Sequence, residues 1–96
     1  MPEYRLSKLA DADVADIAAY TIERFGVRQA RLYCDRLESC FQALAENPKL
    51  GRCLDQIAPV VRRFDHQSHV MYYRANSNGV LIIRVLHERM DPLQHF

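Results

Sequence analysis

Asn76-Ser77-Asn78-Gly79 separates two runs of strand-forming residues, and few folds can accommodate both runs at once. Asn and Gly accept positive φ cheaply, so the segment reads as the turn of an antiparallel hairpin. Before it, alternation places Val70, Tyr72 and Arg74 on one face and His69, Met71 and Tyr73 on the other. After it comes the nearly continuous apolar run Val80-Leu81-Ile82-Ile83-Arg84-Val85-Leu86-His87. Strict alternation groups Leu81, Ile83, Val85 and His87 against Val80, Ile82, Arg84 and Leu86. A strand apolar on both sides belongs inside a sheet, with helices on one face and some cover on the other. Arg84 interrupts that run, so its charge must be paired or reach solvent.

The chain upstream supplies the helices. Tyr4-Arg5-Leu6-Ser7-Lys8 alternates as a short strand. Asp11 or Asp13 is then expected to cap a helix, since a carboxylate accepts the free N–H groups of a first turn. Val14, Ile17, Ala18, Thr21, Ile22 and Phe25 make its expected inner face. Gly26 is the expected stop, in the left-handed conformation. A second helix follows from Val27 or Arg28 to Glu46, with Ala30, Tyr33, Leu37, Cys40, Phe41 and Leu44 facing inward. Asn47-Pro48 closes it. So short a link implies two antiparallel helices. Lys49 to Gln56 reads as loop, and a further strand is expected over Ile57–Phe64, with Pro59 near its start or on an edge. Residues 1–96 read as a single domain.

Charge is uneven although the formal net is only +1. The first 48 residues carry six Lys and Arg against eight Asp and Glu, whereas the last 48 carry seven against four. Eleven of the thirteen basic residues are Arg, the planar donor suited to carboxylates, phosphates and protein surfaces. Cys34, Cys40 and Cys53 form no Cys-x-x-Cys pattern, and an odd number of cysteines fits reduced thiols. No secretory apolar segment and no run of membrane-spanning length is seen, so a cytoplasmic protein is expected. His66, His69, His87 and His95 lack ligand spacing, and neither a metal nor another cofactor is expected. His95 reads as flexible tail.

The residues with chemistry to offer are basic and late in the chain. Arg62 and Arg63 are adjacent and must point to opposite faces. With Arg84, His87 and Arg89 they are the expected target-binding residues: such a group can hold a phosphate and move a proton, or pair with carboxylates of a protein partner. No catalytic residue is assigned. Tyr20 and Leu32 fall off the helical stripes; together with Ile17 and Tyr73 they are the expected liners of a surface for a partner's amphipathic helix.

With those residues in place, the whole chain resembles the ParE branch of the ParE/RelE superfamily of bacterial type II toxins. The resemblance rests on the element order, on Tyr4-Arg5-Leu6-Ser7 with Ala12-Asp13 to Tyr20 and Phe25-Gly26, and above all on Arg84-Val85-Leu86-His87-Glu88-Arg89-Met90-Asp91. It covers residues 3–92. It implies an α+β domain of the RelE/ParE-like fold, β-α-α-β-β-β, with a helix hairpin packed on a small twisted antiparallel sheet. It also implies a toxin that inhibits growth by poisoning DNA gyrase. The implied partner is a ParD-type ribbon-helix-helix antitoxin that silences the toxin in a hetero-oligomer. The alternative within the superfamily is a RelE-like endonuclease that cuts messenger RNA on the ribosome. Lysines occur only at Lys8 and Lys49, so a lysine-rich RNA site is not expected, and neither is direct sequence-specific nucleic-acid binding.

Overall fold

Ser7 starts the helical half of the molecule. In the computed structural model, which describes residues 2–54 and 58–95, its hydroxyl accepts the Ala10 N–H at 3.0 Å and caps helix α1, Lys8–Phe25. The cap is therefore Ser7 rather than Asp11 or Asp13, which lie inside the helix. Asp11 still sits in the first turn, where a negative charge suits the helix dipole. Gly26 ends α1 and precedes helix α2, Val27–Glu46. Its φ of 92° and ψ of 167° fall outside the expected left-handed helical well, in a region that in practice only glycine occupies. There its N–H donates to Ile22 O and its C=O accepts from Ala30 N, so one residue serves both helix ends.

The hairpin buries Ala10, Ile17 and Thr21 from α1 and Ala30, Tyr33, Leu37, Phe41, Leu44 and Ala45 from α2. Val14 and Cys40 pack against this core while only partly buried. Ile22 and Phe25 do not continue the inner face as the spacing predicts: they are 44% and 67% exposed. All residues from 22 to 29 are exposed, so the hairpin tip projects beyond the core.

The sheet contains β1 (Glu3–Leu6), β2 (Arg52–Leu54), β3 (Ala58–His66), β4 (His69–Asn76) and β5 (Gly79–His87), in spatial order β1-β5-β4-β3-β2. The expected α+β order is present, with two additions. β2 is a three-residue edge strand in the segment read as loop. β1 runs parallel to β5, which makes the sheet mixed. Asp55, Gln56 and Ile57, where the loop reading ended and the next strand was expected to begin, lie outside the described residues. The Asn76–Gly79 turn joins β4 to β5 as expected. A Cβ on Gly79 would lie 1.9 Å from Glu3 O, so glycine is what lets β1 approach so closely.

One irregularity decides where β5 sends its side chains. Tyr73 pairs with Ile82 and Tyr72 with Arg84, leaving Ile83 as an extra residue. This β-bulge breaks the strict alternation read from the sequence. Val80, Ile82 and Val85 now join the helix-side core together with Met71 and Tyr73. Ile83 and Leu86 join Val61, Val70 and Tyr72 in a smaller cluster. Ser7 seals the bulge: its N–H donates to Ile82 O at 2.9 Å and its hydroxyl to Ile83 O at 2.7 Å. The residue that caps α1 thus also joins β1 to the irregular part of β5.

Candidate functional site

At the bulge, Arg84 meets Asp13 from the second turn of α1. Arg84 Nε donates to Asp13 Oδ2 at 2.8 Å and Nη2 to Oδ1 at 2.9 Å. The Val85 N–H also donates to Oδ2, at 2.9 Å. The two side chains keep only 14% and 12% of their surface. Arg84 Nη1 reaches on to His95 O at 2.9 Å, so the C-terminal turn is held and His95 is not a free tail. The hydrogen bonds to Asp13 raise the Arg84 pKa, outweighing the opposing effect of burial. Both ways of accommodating this charge were open in the sequence; the structure pairs it. A half-buried bidentate pair of this kind serves the fold first, because removing one partner strands the other.

The other arginines divide in the same way. Arg62 donates to Gly51 O at 2.7 Å and helps dock the loop after α2. Arg63 forms two hydrogen bonds with Asp65 and lies 5.9 Å from the Tyr72 ring centroid. Arg52 is exposed and sits opposite Arg63 in the strand register, Arg63 sits opposite Tyr72, and Tyr72 opposite Arg84. Three arginines and a tyrosine therefore form one row across four strands. Arg52 and Tyr72 were not singled out in the sequence. Their place in the row depends on β2, too short to show periodicity. Arg89 is exposed, and its backbone N–H donates to His87 Nδ1 at 3.2 Å.

The partner-facing residues also separate. A concavity of about 690 Å³ runs between α1 and the end of β5, with Ile17, Tyr20, Phe25, Leu86 and Met90 in its walls. A second of about 430 Å³ adjoins it, sharing Tyr20, Phe25, Ser68 and His69 and adding Tyr33. Together they make a groove. Tyr20, 57% exposed, stands at its rim, and Ile17 is buried in its floor. Leu32, 45% exposed, lies outside the groove walls. Tyr73 is not a surface liner: it is fully buried. Its hydroxyl accepts from Gly51 N and donates to Pro48 O, both at 2.7 Å, so its polar end is consumed in holding the loop. Phe25 is a groove residue that the reading of the helical stripe sent to the core.

Comparison with known proteins bears on this arrangement. The family model described as "ParE toxin of type II toxin-antitoxin system, parDE" matches residues 4–92. The chain belongs to this family. It is 40% identical over 95 residues to a Caulobacter vibrioides protein named Toxin ParE1, covering 99% of this chain and 98% of the relative. A Toxin ParE1 of Mycobacterium tuberculosis is 39% identical over 89 residues, covering 92% and 91%. A solved structure titled "Chromosomal ParDE TA system from P. aeruginosa" shares the fold with a TM-score of 0.76 at 17% identity, over 91% of this chain and 96% of that one.

For a ParE-family chain the most evident surfaces are thus the groove beside α1 and the basic end of the sheet. Cys34 and Cys40 are partly buried free thiols and Cys53 an exposed one. Among the described residues, no group of three or more His, Cys, Asp or Glu is placed to hold a metal ion. No helix among them is long and apolar enough to cross a membrane.

Proposed function

We propose that this chain is the growth-inhibiting component of a toxin–antitoxin pair, that it acts in the cytoplasm by binding DNA gyrase, and that a ParD-type ribbon-helix-helix antitoxin neutralises it. The family match over residues 4–92 carries the reading. The groove supports the antitoxin half: Ile17, Leu86 and Met90 with the exposed side chains of Tyr20 and Phe25 give its walls the apolar surface that a docking amphipathic helix requires, beside charged residues such as Asp16. The target half rests on cations that the fold leaves available. Arg52 and Arg89 are exposed, and Arg63 is engaged only by the exposed carboxylate of Asp65, so these three are better placed to meet an acidic protein surface than Arg84, bound to Asp13, and Arg62, bound to Gly51 O. His87, partly exposed beside Arg89, belongs with the available group.

The test is induction of the chain alone and together with a ParD-type antitoxin, followed by supercoiling and cleavage-complex assays on purified gyrase. Growth arrest relieved by the antitoxin, with gyrase inhibited in vitro, is the expected result. Cleavage of ribosome-bound messenger RNA with gyrase unaffected would move the chain to the nuclease branch.

A further inference from the structure

Three histidines stand in one cross-strand line. His66 on β3 pairs with His69 on β4, and His69 pairs with His87 on β5. Tyr33 from α2 closes over the line: its hydroxyl and His69 Nδ1 are 2.6 Å apart, and its ring centroid lies 5.5 Å from that of His69 and 5.9 Å from that of His66. The His69 and His87 rings meet edge-on at 5.7 Å. His66 Nε2 is buried with no hydrogen-bond partner. Tyr33 and His69 are themselves part of the groove wall.

We propose that His69, held against Tyr33 and set between His66 and His87, is an acid-sensitive latch on the groove wall, tight while His69 is neutral and loosened when it takes up a proton. A neutral His69 can accept the Tyr33 O–H at Nδ1. A protonated His69 carries a hydrogen there, so the Tyr33 hydroxyl must turn to accept instead. The new charge must also be held in a partly buried line between two other imidazole rings, where little water reaches it.

The surroundings set the direction. Burial lowers the His69 pKa most, His87 and His66 lower it further, and Glu88 opposes them. Burial raises the Tyr33 hydroxyl pKa, so Tyr33 remains a proton donor. From α1, Asp13 and Asp16 reach the same cavity, and from β5 so does Arg84, but Arg84 and Asp13 neutralise each other. His95 also lines this cavity. Around and below the usual histidine value of 6.5, His69 is therefore less protonated in the folded chain than in the unfolded chain. Stability contributed by the latch is complete above that value, falls as the pH drops below it, and levels off once His69 is protonated in the folded state.

The experiment follows the His69 ring nitrogens of the full chain by NMR from about pH 8 to pH 5, with denaturant unfolding at the same pH values for wild type, His69→Gln and Tyr33→Phe. His69 should titrate below 6.5, and its titration should move the Tyr33 resonances together with it. The wild-type folded-to-unfolded ratio should fall as the pH drops below 6.5, with a slope no steeper than about tenfold per pH unit for one proton. His69→Gln, which keeps an acceptor but does not titrate, should lose most of that slope; Tyr33→Phe should titrate His69 without the tyrosine response. An unchanged slope in His69→Gln would overturn the latch. So would His69 titrating at 6.5 or above with Tyr33 unmoved, and that measurement on wild type decides the matter alone if a variant fails to fold.

Discussion

Arg84 and Arg52 occupy opposite ends of one cross-strand row, yet the fold uses them differently. At the β5 end, the bulge and Asp13 wrap Arg84 in hydrogen bonds and leave it 14% exposed. At the β2 end, Arg52 lies on a short edge strand, exposed and opposite another arginine. Like charges directly opposite each other in a sheet are unfavourable, and the surface ion pair of Arg63 with Asp65 offsets this only weakly. The same residue type in the same row is thus part of the scaffold at one end and available to a partner at the other. A reduction in toxicity on replacing an arginine therefore means different things at the two ends.

Replacing Arg84 by Ala should have the largest effect. It leaves the half-buried Asp13 carboxylate without its bidentate partner and releases His95 O, and we expect a loss of about 3 kcal/mol of stability. For a domain of this size that corresponds to roughly 12 °C or more in the melting temperature, measured by calorimetry. Arg84→Lys should recover little, because an ammonium cannot reproduce the paired geometry. A near-normal melting temperature for Arg84→Ala would erase the contrast between the two ends.

Tyr73→Phe tests whether a second interior anchor behaves like Arg84. The change leaves Gly51 N and Pro48 O without their buried partner, and should lower the unfolding free energy by about 2 kcal/mol in denaturant melts. Ser7→Ala should reduce stability by about 1 kcal/mol through the lost cap, with the bulge carbonyl of Ile83 also left open. A change within measurement error would mean that another group replaces the hydroxyl.

The exposed end should show the reverse pattern. Arg52→Ala and Arg63→Ala should each change stability by under about 0.5 kcal/mol. Together they should weaken target binding about tenfold, roughly 1.4 kcal/mol, read by titrating gyrase inhibition. Unaltered inhibition by the double variant would move target binding toward His87 and Arg89. Loss of stability matching that of Arg84→Ala would mean that the row is structural throughout.

Much of this architecture can be read from local patterns. The helix hairpin is visible in the spacing of Leu37, Phe41 and Leu44, and the β4–β5 hairpin in Asn76–Gly79, because each signal lies within a few residues. What escapes is non-local or too short. Ser7 caps α1, but the aspartates after it carry the more obvious capping chemistry. β2 has three residues, fewer than alternation needs to declare itself. The extra residue at Ile83 leaves no mark in composition, yet it changes which face each later side chain takes. The Arg84–Asp13 pair spans 71 residues, so the sequence could pose the question of that charge without answering it. In the groove, Ile17 and Tyr20 were readable from the helical wheel; Phe25 was not, because nothing local shows where a helix outruns its sheet.

The parallel pairing of β1 with β5 has a consequence during synthesis. The first strand made is neighbour to the last, and β5 lies between β1 and the rest of the sheet. Ser7 likewise finds two of its partners only at Ile82 and Ile83. Until β5 has been synthesised, the sheet lacks the strand on which β1 docks. A truncated product ending before Gly79 has its helices but cannot assemble this sheet, so interrupted translation yields fragments that lack the finished surfaces of the full chain.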